Sequence, residues 1–170
     1  MKKLNLGCGK DVKEGYINLD STKLPGVDVV HDLNKYPWPF RDNEFDEIYA
    51  SHILEHLDNL PRAMEEIWRI TKPNGRVIIR VPHFSCGVSY RDPTHKILFS
   101  YFTFEYFEKG EYGLPRFKIL KRKFNFTRTK FKFLNYIFNP IINLFPELYE
   151  RLFCWILPTS EVIFVLRPIK

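Results

Sequence analysis

A glycine turn and an aspartate near the N-terminus are the residues whose types and spacing best suit the binding of a ligand. Gly7, Cys8 and Gly9 end a short apolar run, and Asp20 ends the next run along the chain. Glycines at the carboxyl end of a strand let a ligand approach the backbone, and an acid after the next strand can accept hydrogen bonds from ribose hydroxyls. The pair therefore predicts a site for a cofactor that contains a nucleoside.

The same region argues against a dinucleotide. A dinucleotide site needs a third glycine, where this chain has Val12, and a helix N-terminus to hold the pyrophosphate. Only residues 10–14 separate Gly9 from Gly15, which is too few for that helix. The pattern favours a cofactor without phosphates and predicts that the first crossover helix is deleted or shortened.

A second group of reactive side chains, His83, Asp92 and His95, lies in the stretch PHFSCGVSYRDPTHKILF. A histidine paired with a carboxylate can accept a proton near neutral pH, so these three are candidate catalytic residues. The alternative is structural, with Asp92 capping the turn at Pro93 and His95 anchoring the loop. Cys86, a single cysteine in the same loop, is not expected to act as a nucleophile.

Apolar, β-branched runs bounded by turn residues predict the strands that must position these groups. The runs are residues 3–9, 15–20, 27–33, 45–51, 75–82 and 161–170. Helices are predicted between a cap at Asp58 and Pro73, around residues 100–108, and over 134–156 with breaks at Pro140 and Pro146. Strands separated by crossovers indicate a mostly parallel sheet with right-handed connections.

Length and composition favour one globular domain. With 170 residues, 45% of them hydrophobic and 27% charged, the chain can bury a core. We divide it into a cofactor half, residues 1–82, and a half with the acceptor loop and the C-terminal elements, residues 83–170. The three cysteines have no paired spacing, so neither a disulfide framework nor a metal site is expected. Neither a secretory signal nor a membrane-spanning run is evident, which predicts a cytoplasmic protein.

The C-terminal half carries the positive charge. Lys+Arg 26 against Asp+Glu 20 give a net charge of +6, and residues 116–132 hold eight basic side chains and no acidic ones. This stretch alternates apolar with basic residues, as a strand with one solvated face would, and an aromatic, apolar segment follows it. Together, over 116–157, they predict a surface for an anionic membrane. Binding of nucleic-acid phosphates, or a solvated strand beside a filled core, are the alternatives.

Three stretches resemble class I S-adenosylmethionine-dependent methyltransferases of the small bacterial and archaeal type with a short first crossover. They are LNLGCGKDVKEGYINLD, DLNKYPWPFRDNEFDEIYASHILEHL and IWRITKPNGRVIIRVPH, which cover roughly the first half of the chain. The resemblance implies a Rossmann-like α/β fold with a seven-stranded, mostly parallel sheet, helices on both faces and the last strand antiparallel. It also implies S-adenosylmethionine as the cofactor.

The resemblance assigns roles to single residues. It implies that Gly7, Cys8 and Gly9 contact the methionine part of the cofactor and that Asp20 holds the ribose. It also implies that Asp32 and Leu33 contact the adenine and that Ser51 and His52 flank the sulfonium. Asn5 stands where the family often has an acid. The segment DPTH also resembles a loop of this methyltransferase type.

The implied activity is methyl transfer to an oxygen or nitrogen of a small-molecule or glycan-type acceptor. An RNA methyltransferase is one alternative, which the basic stretch favours. The residues ASHILEHL argue against it, because base-amino methyltransferases have Asn-Pro-Pro-aromatic at that place. A cofactor-binding module without catalysis is the other alternative, and the intact glycines and aspartate argue against that. A cytoplasmic protein that attaches to the membrane periphery is the expectation.

Overall fold

The computed structural model describes residues 1–128 and 130–170, and Thr129, part of the predicted basic stretch, lies outside the described residues. Within them the strands are β1 (Lys3–Leu6), β2 (Ile17–Asp20), β3 (Val29–Val30), β4 (Phe45–Ser51), β5 (Thr71–Pro82), β6 (Phe117–Asn125) and β7 (Glu161–Pro168). They form one sheet in the order β3-β2-β1-β4-β5-β7-β6. Strands β1 to β5 are parallel, and β7 lies antiparallel between β5 and β6. The predicted sheet is confirmed.

Helices lie around this sheet. They are α1 (Leu60–Ile70), α2 (Val88–Arg91), α3 (Glu105–Lys109), α4 (Asn135–Leu144) and α5 (Pro146–Leu148), with 3-10 turns at Leu54–His56, Glu111–Gly113 and Lys132–Leu134 and a π-helical turn at Tyr149–Phe153. The cap of α1 is Asn59 rather than the predicted Asp58, because Asn59 Oδ1 accepts the Arg62 amide (2.9 Å). Among the described residues, no helix is long and apolar enough to cross a membrane.

The core lies on one face of the sheet. Alternate residues of β1, β4 and β5 are fully buried there: Leu4, Leu6, Ile48, Ala50, Val77 and Ile79. Aromatic rings from the C-terminal half join the same cluster: Phe99, Phe104, Phe107, Phe117 and Phe124. The two halves of the chain therefore share one sheet and one core.

The first crossover, residues 7–16, is described throughout and contains no helix, as the sequence predicts. Polar side chains hold it instead. Asn5 Nδ2 donates to the Asp11 carbonyl (2.8 Å) and to Asn18 Oδ1 (3.0 Å), and Asn18 Oδ1 also accepts the Lys13 amide (2.9 Å). Asn5 is buried and therefore braces the loop that replaces the helix.

Helix α4 lies against the edge strand β6 through a ladder of asparagines four residues apart. Their Oδ1 atoms accept backbone amides at the end of β6 and just after it: Asn143 from Phe124 (2.7 Å), Asn139 from Phe126 (2.8 Å) and Asn135 from Thr127 (2.9 Å). These bonds satisfy edge amides that would otherwise need water or another strand.

The predicted break at Pro140 is wrong, because α4 continues through it. Pro140 is exposed, and the asparagine ladder holds the helix on both sides of it. The helix ends at Leu144, and the non-helical Phe145 (φ −132°, ψ 76°) follows directly before Pro146, where the second break was predicted. The third strand is also shorter than predicted, Val29–Val30 instead of 27–33, because the chain turns at Asp32.

Candidate functional site

A small cavity lies at the carboxyl ends of β1, β2 and β3. Its volume is about 110 Å³, and it is lined by Gly7, Asp20, Ser21, His31, Asp32, Leu33, Asn34, Ile53 and Leu57. Four of the predicted cofactor residues meet there: Gly7, Asp20, Asp32 and Leu33. Parallel strands end at the same edge of the sheet, which is why segments distant in sequence converge at this point.

The glycine turn owes its shape to two residues in the left-handed region. Gly7 has φ +59° and Gly9 has φ +49°, which side-chain-bearing residues rarely adopt. A Cβ on Gly7 would lie 2.4 Å from Ile53 Cγ1, so only glycine fits there. The Gly9 amide donates to Asp20 Oδ2 (2.8 Å), and the Thr22 amide donates to Asp20 Oδ1 (3.0 Å). Asp20 therefore fixes the turn as well as lining the cavity.

Asp32, Leu33 and Cys8, three of the predicted cofactor contacts, are held by the surrounding structure. Asp32 Oδ1 accepts the Asn34 amide (3.0 Å), and the Leu33 carbonyl accepts the Trp38 indole (3.1 Å), so both belong to a fixed turn. Cys8 is buried beside the cavity rather than lining it. Burial raises the pKa of the Cys8 thiol, which keeps it protonated and unreactive.

These residues fit the implied cofactor. Gly7 presents bare backbone to the cavity, the Asp20 and Asp32 carboxylates can accept bonds from hydroxyl or amino groups, and Ile53 supplies an apolar wall, whereas Gly9 does not line the cavity. The cavity is smaller than the roughly 300 Å³ at which ligand pockets usually begin. The Ile53 side chain, which stands against Gly7, limits it.

Ser51, the last residue of β4, and His52, which follows it, were predicted beside the sulfonium but do not line the cavity. The His52 amide donates to the Arg80 carbonyl (2.8 Å), and its ring bonds Glu55 Oε1 (3.1 Å) and Glu161 Oε2 (3.0 Å). Burial would lower the pKa of His52, but the two carboxylates raise it above its usual value. The contact of Ser51 and His52 with the cofactor stays a prediction.

Sequence reasoning missed Glu161. It is fully buried at the start of β7 and accepts hydrogen bonds from Arg80 and Asn125 as well as from His52. Burial alone would raise its pKa, yet these bonds lower the pKa of Glu161 to about 2. No local signal could have found it, because its partners come from β4, β5 and β6 and meet only through the sheet register.

His83, a predicted catalytic residue, is fully buried. Its Nδ1 lies 2.8 Å from Ser85 Oγ, its Nε2 lies 2.8 Å from Glu150 Oε1, and its ring packs on Phe84 and Phe124. Both ring nitrogens are thus engaged inside the protein. The geometry favours an anchor between β5 and the π-helical turn, and a catalytic role for His83 stays a prediction.

Asp92 and His95 lie together, as predicted. Asp92 Oδ2 is 3.7 Å from His95 Nε2, while Asp92 Oδ1 accepts the Thr94 hydroxyl (2.7 Å) and amide (2.9 Å). The Thr94 bonds hold the pKa of Asp92 below its usual value. The capped turn is therefore present, and a role in proton transfer stays a prediction. The His95 ring also packs edge-on against His56 (centroids 4.7 Å apart).

Comparisons with known proteins agree with the fold. Residues 4–79 match the family described as methyltransferase domain. Human mitochondrial arginine-hydroxylase NDUFAF5 is 32% identical over 91 residues, which cover 42% of this chain and 26% of that protein. Demethylmenaquinone methyltransferase of Symbiobacterium thermophilum is 31% identical over 75 residues, 41% of this chain and 30% of that protein. The chain spans about a quarter of the first relative's length and under a third of the second's.

A solved structure extends the likeness to almost the whole chain. A SAM-dependent methyltransferase from Archaeoglobus fulgidus superposes with a TM-score of 0.67 at 20% identity, covering 98% of this chain and 85% of that one. At this identity the likeness shows the fold. Residues 4–79 therefore match the methyltransferase domain family, and the chain has the fold of class I S-adenosylmethionine-dependent methyltransferases.

Proposed function

We propose that the protein binds S-adenosylmethionine at the glycine turn and transfers its methyl group to an oxygen or nitrogen of a small-molecule or glycan-type acceptor. The observation that carries the proposal is the meeting of Gly7, Asp20 and Asp32 at one edge of a parallel sheet. One relative is named for hydroxylation, so the family by itself does not fix the reaction. The retained glycine turn and Asp20 favour an enzyme over a module without catalysis.

The chain's main contribution to such a transfer is alignment. When bound, the cofactor supplies an electrophilic methyl group. The glycine turn and Asp20 hold its position, and Ile53 with Leu57 forms an apolar wall that excludes water. A hydroxyl acceptor must also lose a proton, for which Asp92 and His95 are the candidates.

We also infer that the acceptor is presented by a membrane, because α4 is inverted: it turns polar side chains towards the protein and apolar side chains outward. Its asparagines face β6, while Tyr136, Ile141 and Leu144 are 86%, 60% and 68% exposed. We name as the apolar surface the exposed side chains of this region: Phe131, Phe133, Tyr136, Ile137, Ile141, Leu144, Phe145, Leu148, Leu152, Phe153, Trp155 and Ile156. An exposed patch of this kind is typical of a membrane or partner contact.

Charge favours an anionic bilayer as the occupant of the apolar surface. Lys130, Lys132 and Arg151 are exposed beside it, and residues 133–146 carry no charge. Basic side chains next to exposed aromatics suit the interface of an anionic membrane. One relative is named for demethylmenaquinone, and we extend small-molecule acceptors to this chain as part of the proposal. A lipid-linked acceptor would place its reactive group at this boundary.

RNA is the alternative acceptor. Lys118, Lys121 and Lys123 are exposed along β6, while Phe117 and Phe124 are buried on its other face, as the alternating sequence predicts. Such a row of lysines could also bind phosphates. The acceptor assay must therefore include RNA.

Incubation with methyl-labelled S-adenosylmethionine tests the proposal. Wild type and Asp20→Ala are compared on lipid, soluble small-molecule and RNA fractions of a cell extract. We expect label in the lipid fraction with the wild type and background label with Asp20→Ala. Label in RNA alone would support the nucleic-acid alternative, and label in no fraction would contradict methyl transfer.

A further inference from the structure

Three side chains with metal-binding atoms meet outside the cofactor cavity. Glu55, His56 and His95 each offer one ligand atom, and the three atoms lie within 4.8 Å of one another. Backbone bonds fix the two segments that carry them, because the amides of Lys96 and Ile97 both donate to the Glu55 carbonyl (2.8 and 3.2 Å). The cluster is therefore held by the fold rather than by a chance side-chain approach.

Two buried atoms of this cluster lack a partner. Glu55 Oε2 and His95 Nδ1 have no hydrogen-bond partner among the described residues. The Glu55 side chain is 0% exposed and the His95 side chain is 5% exposed. Buried polar atoms are nearly always satisfied, since an unpaired one destabilises the fold. These two atoms therefore point to a missing ligand.

Neighbouring side chains orient the imidazole rings of His56 and His95, as polar side chains do for the histidine ligands of metal centres. His95 Nε2 faces Asp92 Oδ2 (3.7 Å), which leaves Nδ1 as the ligand atom. Thr94 Oγ1 lies 2.9 Å from His56 Nδ1 and fixes that ring. Metal-binding histidines are commonly held in this way through their second nitrogen by a carboxylate or another polar group.

We propose that Glu55, His56 and His95 bind a divalent transition-metal ion of the Zn²⁺ class. Two imidazoles and one carboxylate form a donor set that such ions accept, and three protein ligands leave a coordination position open for water or a substrate oxygen. Bonds of about 2.1 Å put ligand atoms roughly 3.4 Å apart around a tetrahedral ion, so separations of up to 4.8 Å must shorten by up to about 1.4 Å. His56 is only partly buried, and its ring can make that movement together with its exposed partner Thr94.

The site adjoins the cofactor cavity, because Ile53 and Leu57, on either side of Glu55 and His56, line that cavity. No local pattern predicts the site, since His95 lies 39 residues after His56, far from any metal-ligand spacing. The proposal differs from the expectation of no metal. It does not depend on the proposed methyl transfer, although a metal on His95 Nδ1 would leave Asp92 rather than His95 to accept a proton from the acceptor.

Titration of the metal-stripped protein with Co²⁺ and Zn²⁺ tests the site. Variants His56→Gln and Glu55→Gln each remove one ligand, and Glu65→Gln on the exposed face of α1 is the matched control. We expect one Co²⁺ per chain with visible absorption that Zn²⁺ displaces. Each ligand variant should weaken metal binding at least about tenfold, because even the loss of a side chain that only hydrogen-bonds to a ligand has an effect of this size. Glu65→Gln should leave metal binding unchanged.

His56→Gln keeps the proposal testable if Glu55→Gln unfolds, because the His56 ring is only partly buried and its variant should retain the wild-type unfolding temperature. No stoichiometric binding by the wild type would overturn the site. Wild-type affinity in folded His56→Gln would also overturn it, and so would an equal loss in Glu65→Gln.

Discussion

At the scale of single residues, Asp20 acts on the backbone as well as on the cavity. Its two carboxylate oxygens accept the amides of Gly9 and Thr22, and they lie at the cavity wall. A carboxylate that holds the turn can still accept ribose hydroxyls through its remaining lone pairs. If the cofactor binds as proposed, one residue couples the shape of the glycine turn to recognition of the ligand.

Gly7→Ala should destabilise the fold and weaken cofactor binding. The new Cβ would meet Ile53 at 2.4 Å, and φ +59° is strained for alanine. We expect a loss of about 1–3 kcal/mol in the free energy of unfolding, measured by denaturant titration. Gly87→Ala is the control, because nothing lies within 4 Å of its Cβ position. Equal effects of the two substitutions would refute this account of the turn.

The interaction of His52 with Glu55 and Glu161 predicts a pH dependence of stability. The pKa of His52 is raised in the folded state, so its contribution is fully present below the unfolded pKa of about 6.5 and is lost as the pH rises through the folded value. As the pH rises through that range, the unfolding temperature of the wild type should therefore fall relative to that of His52→Gln. The control is His31→Gln, whose ring bonds the Lys35 carbonyl instead of a carboxylate. Parallel pH profiles for wild type and His52→Gln would contradict the prediction.

At the scale of elements, the asparagine ladder explains why α4 is inverted. Unpaired amides at an edge strand must find acceptors, and side-chain carbonyls at a spacing of four residues present them along one helix face. With that face turned to β6, Ile142 is buried, whereas Tyr136, Ile137, Ile141 and Leu144 are exposed. The edge strand thereby determines which side of the helix is exposed.

The substitution Asn139→Ala should show how much the asparagine ladder contributes to stability, apart from the effect of placing alanine in α4. It removes the acceptor for the Phe126 amide (2.8 Å), which should cost about 1–3 kcal/mol of unfolding free energy. Tyr136→Ala in the same helix is the control, because Tyr136 is 86% exposed and should change stability by less than about 0.5 kcal/mol. Chemical denaturation measures both. A loss in Asn139→Ala no larger than in Tyr136→Ala would show that the ladder is not stabilising.

The strands could be predicted where hydrophobic runs met turn residues. Strand β4 coincides with the predicted 45–51, and the missing first helix follows from the five residues between Gly9 and Gly15. Local sequence patterns gave wrong predictions where contacts between distant segments determine the structure. Pro140 stays helical because β6 holds α4 on both sides, and no local signal reports that.

The candidate site could be predicted only in part, for the same reason. Gly7 and Asp20 lie at strand ends and could be proposed from the sequence, whereas Glu161 meets His52, and Glu55 meets His95, only through the fold. Ile53 was missed because an isoleucine after a strand resembles any core residue. Its contact with Gly7 appears only in three dimensions.

At the scale of the whole molecule, the apolar surface and its basic neighbours predict binding to anionic vesicles. Each basic residue near such a membrane contributes about 1 kcal/mol, and salt screens that attraction. In sedimentation with anionic vesicles, the double variant Ile141→Ser/Leu144→Ser should bind at least about tenfold more weakly, because about 1.5–3 kcal/mol is lost per buried side chain. The wild type should bind less at high salt.

Tyr112→Ser serves as the control for that experiment. Tyr112 is 87% exposed but lies outside the apolar surface, so its loss should leave vesicle binding unchanged. Binding to neutral and anionic vesicles alike would remove the role of charge. Preference for an oligonucleotide competitor over vesicles would favour the nucleic-acid alternative.

Calorimetric titration with S-adenosylmethionine is the most direct test of the central claim, that the cavity formed by Gly7, Asp20 and Asp32 holds the cofactor. The wild type should bind one molecule per chain. Asp20→Ala, while still folded, should bind roughly 10 to 100 times more weakly, because ribose hydroxyls lose an acceptor and the Gly9 amide loses its anchor. Absence of binding to the wild type, or unchanged affinity in Asp20→Ala, would contradict the account.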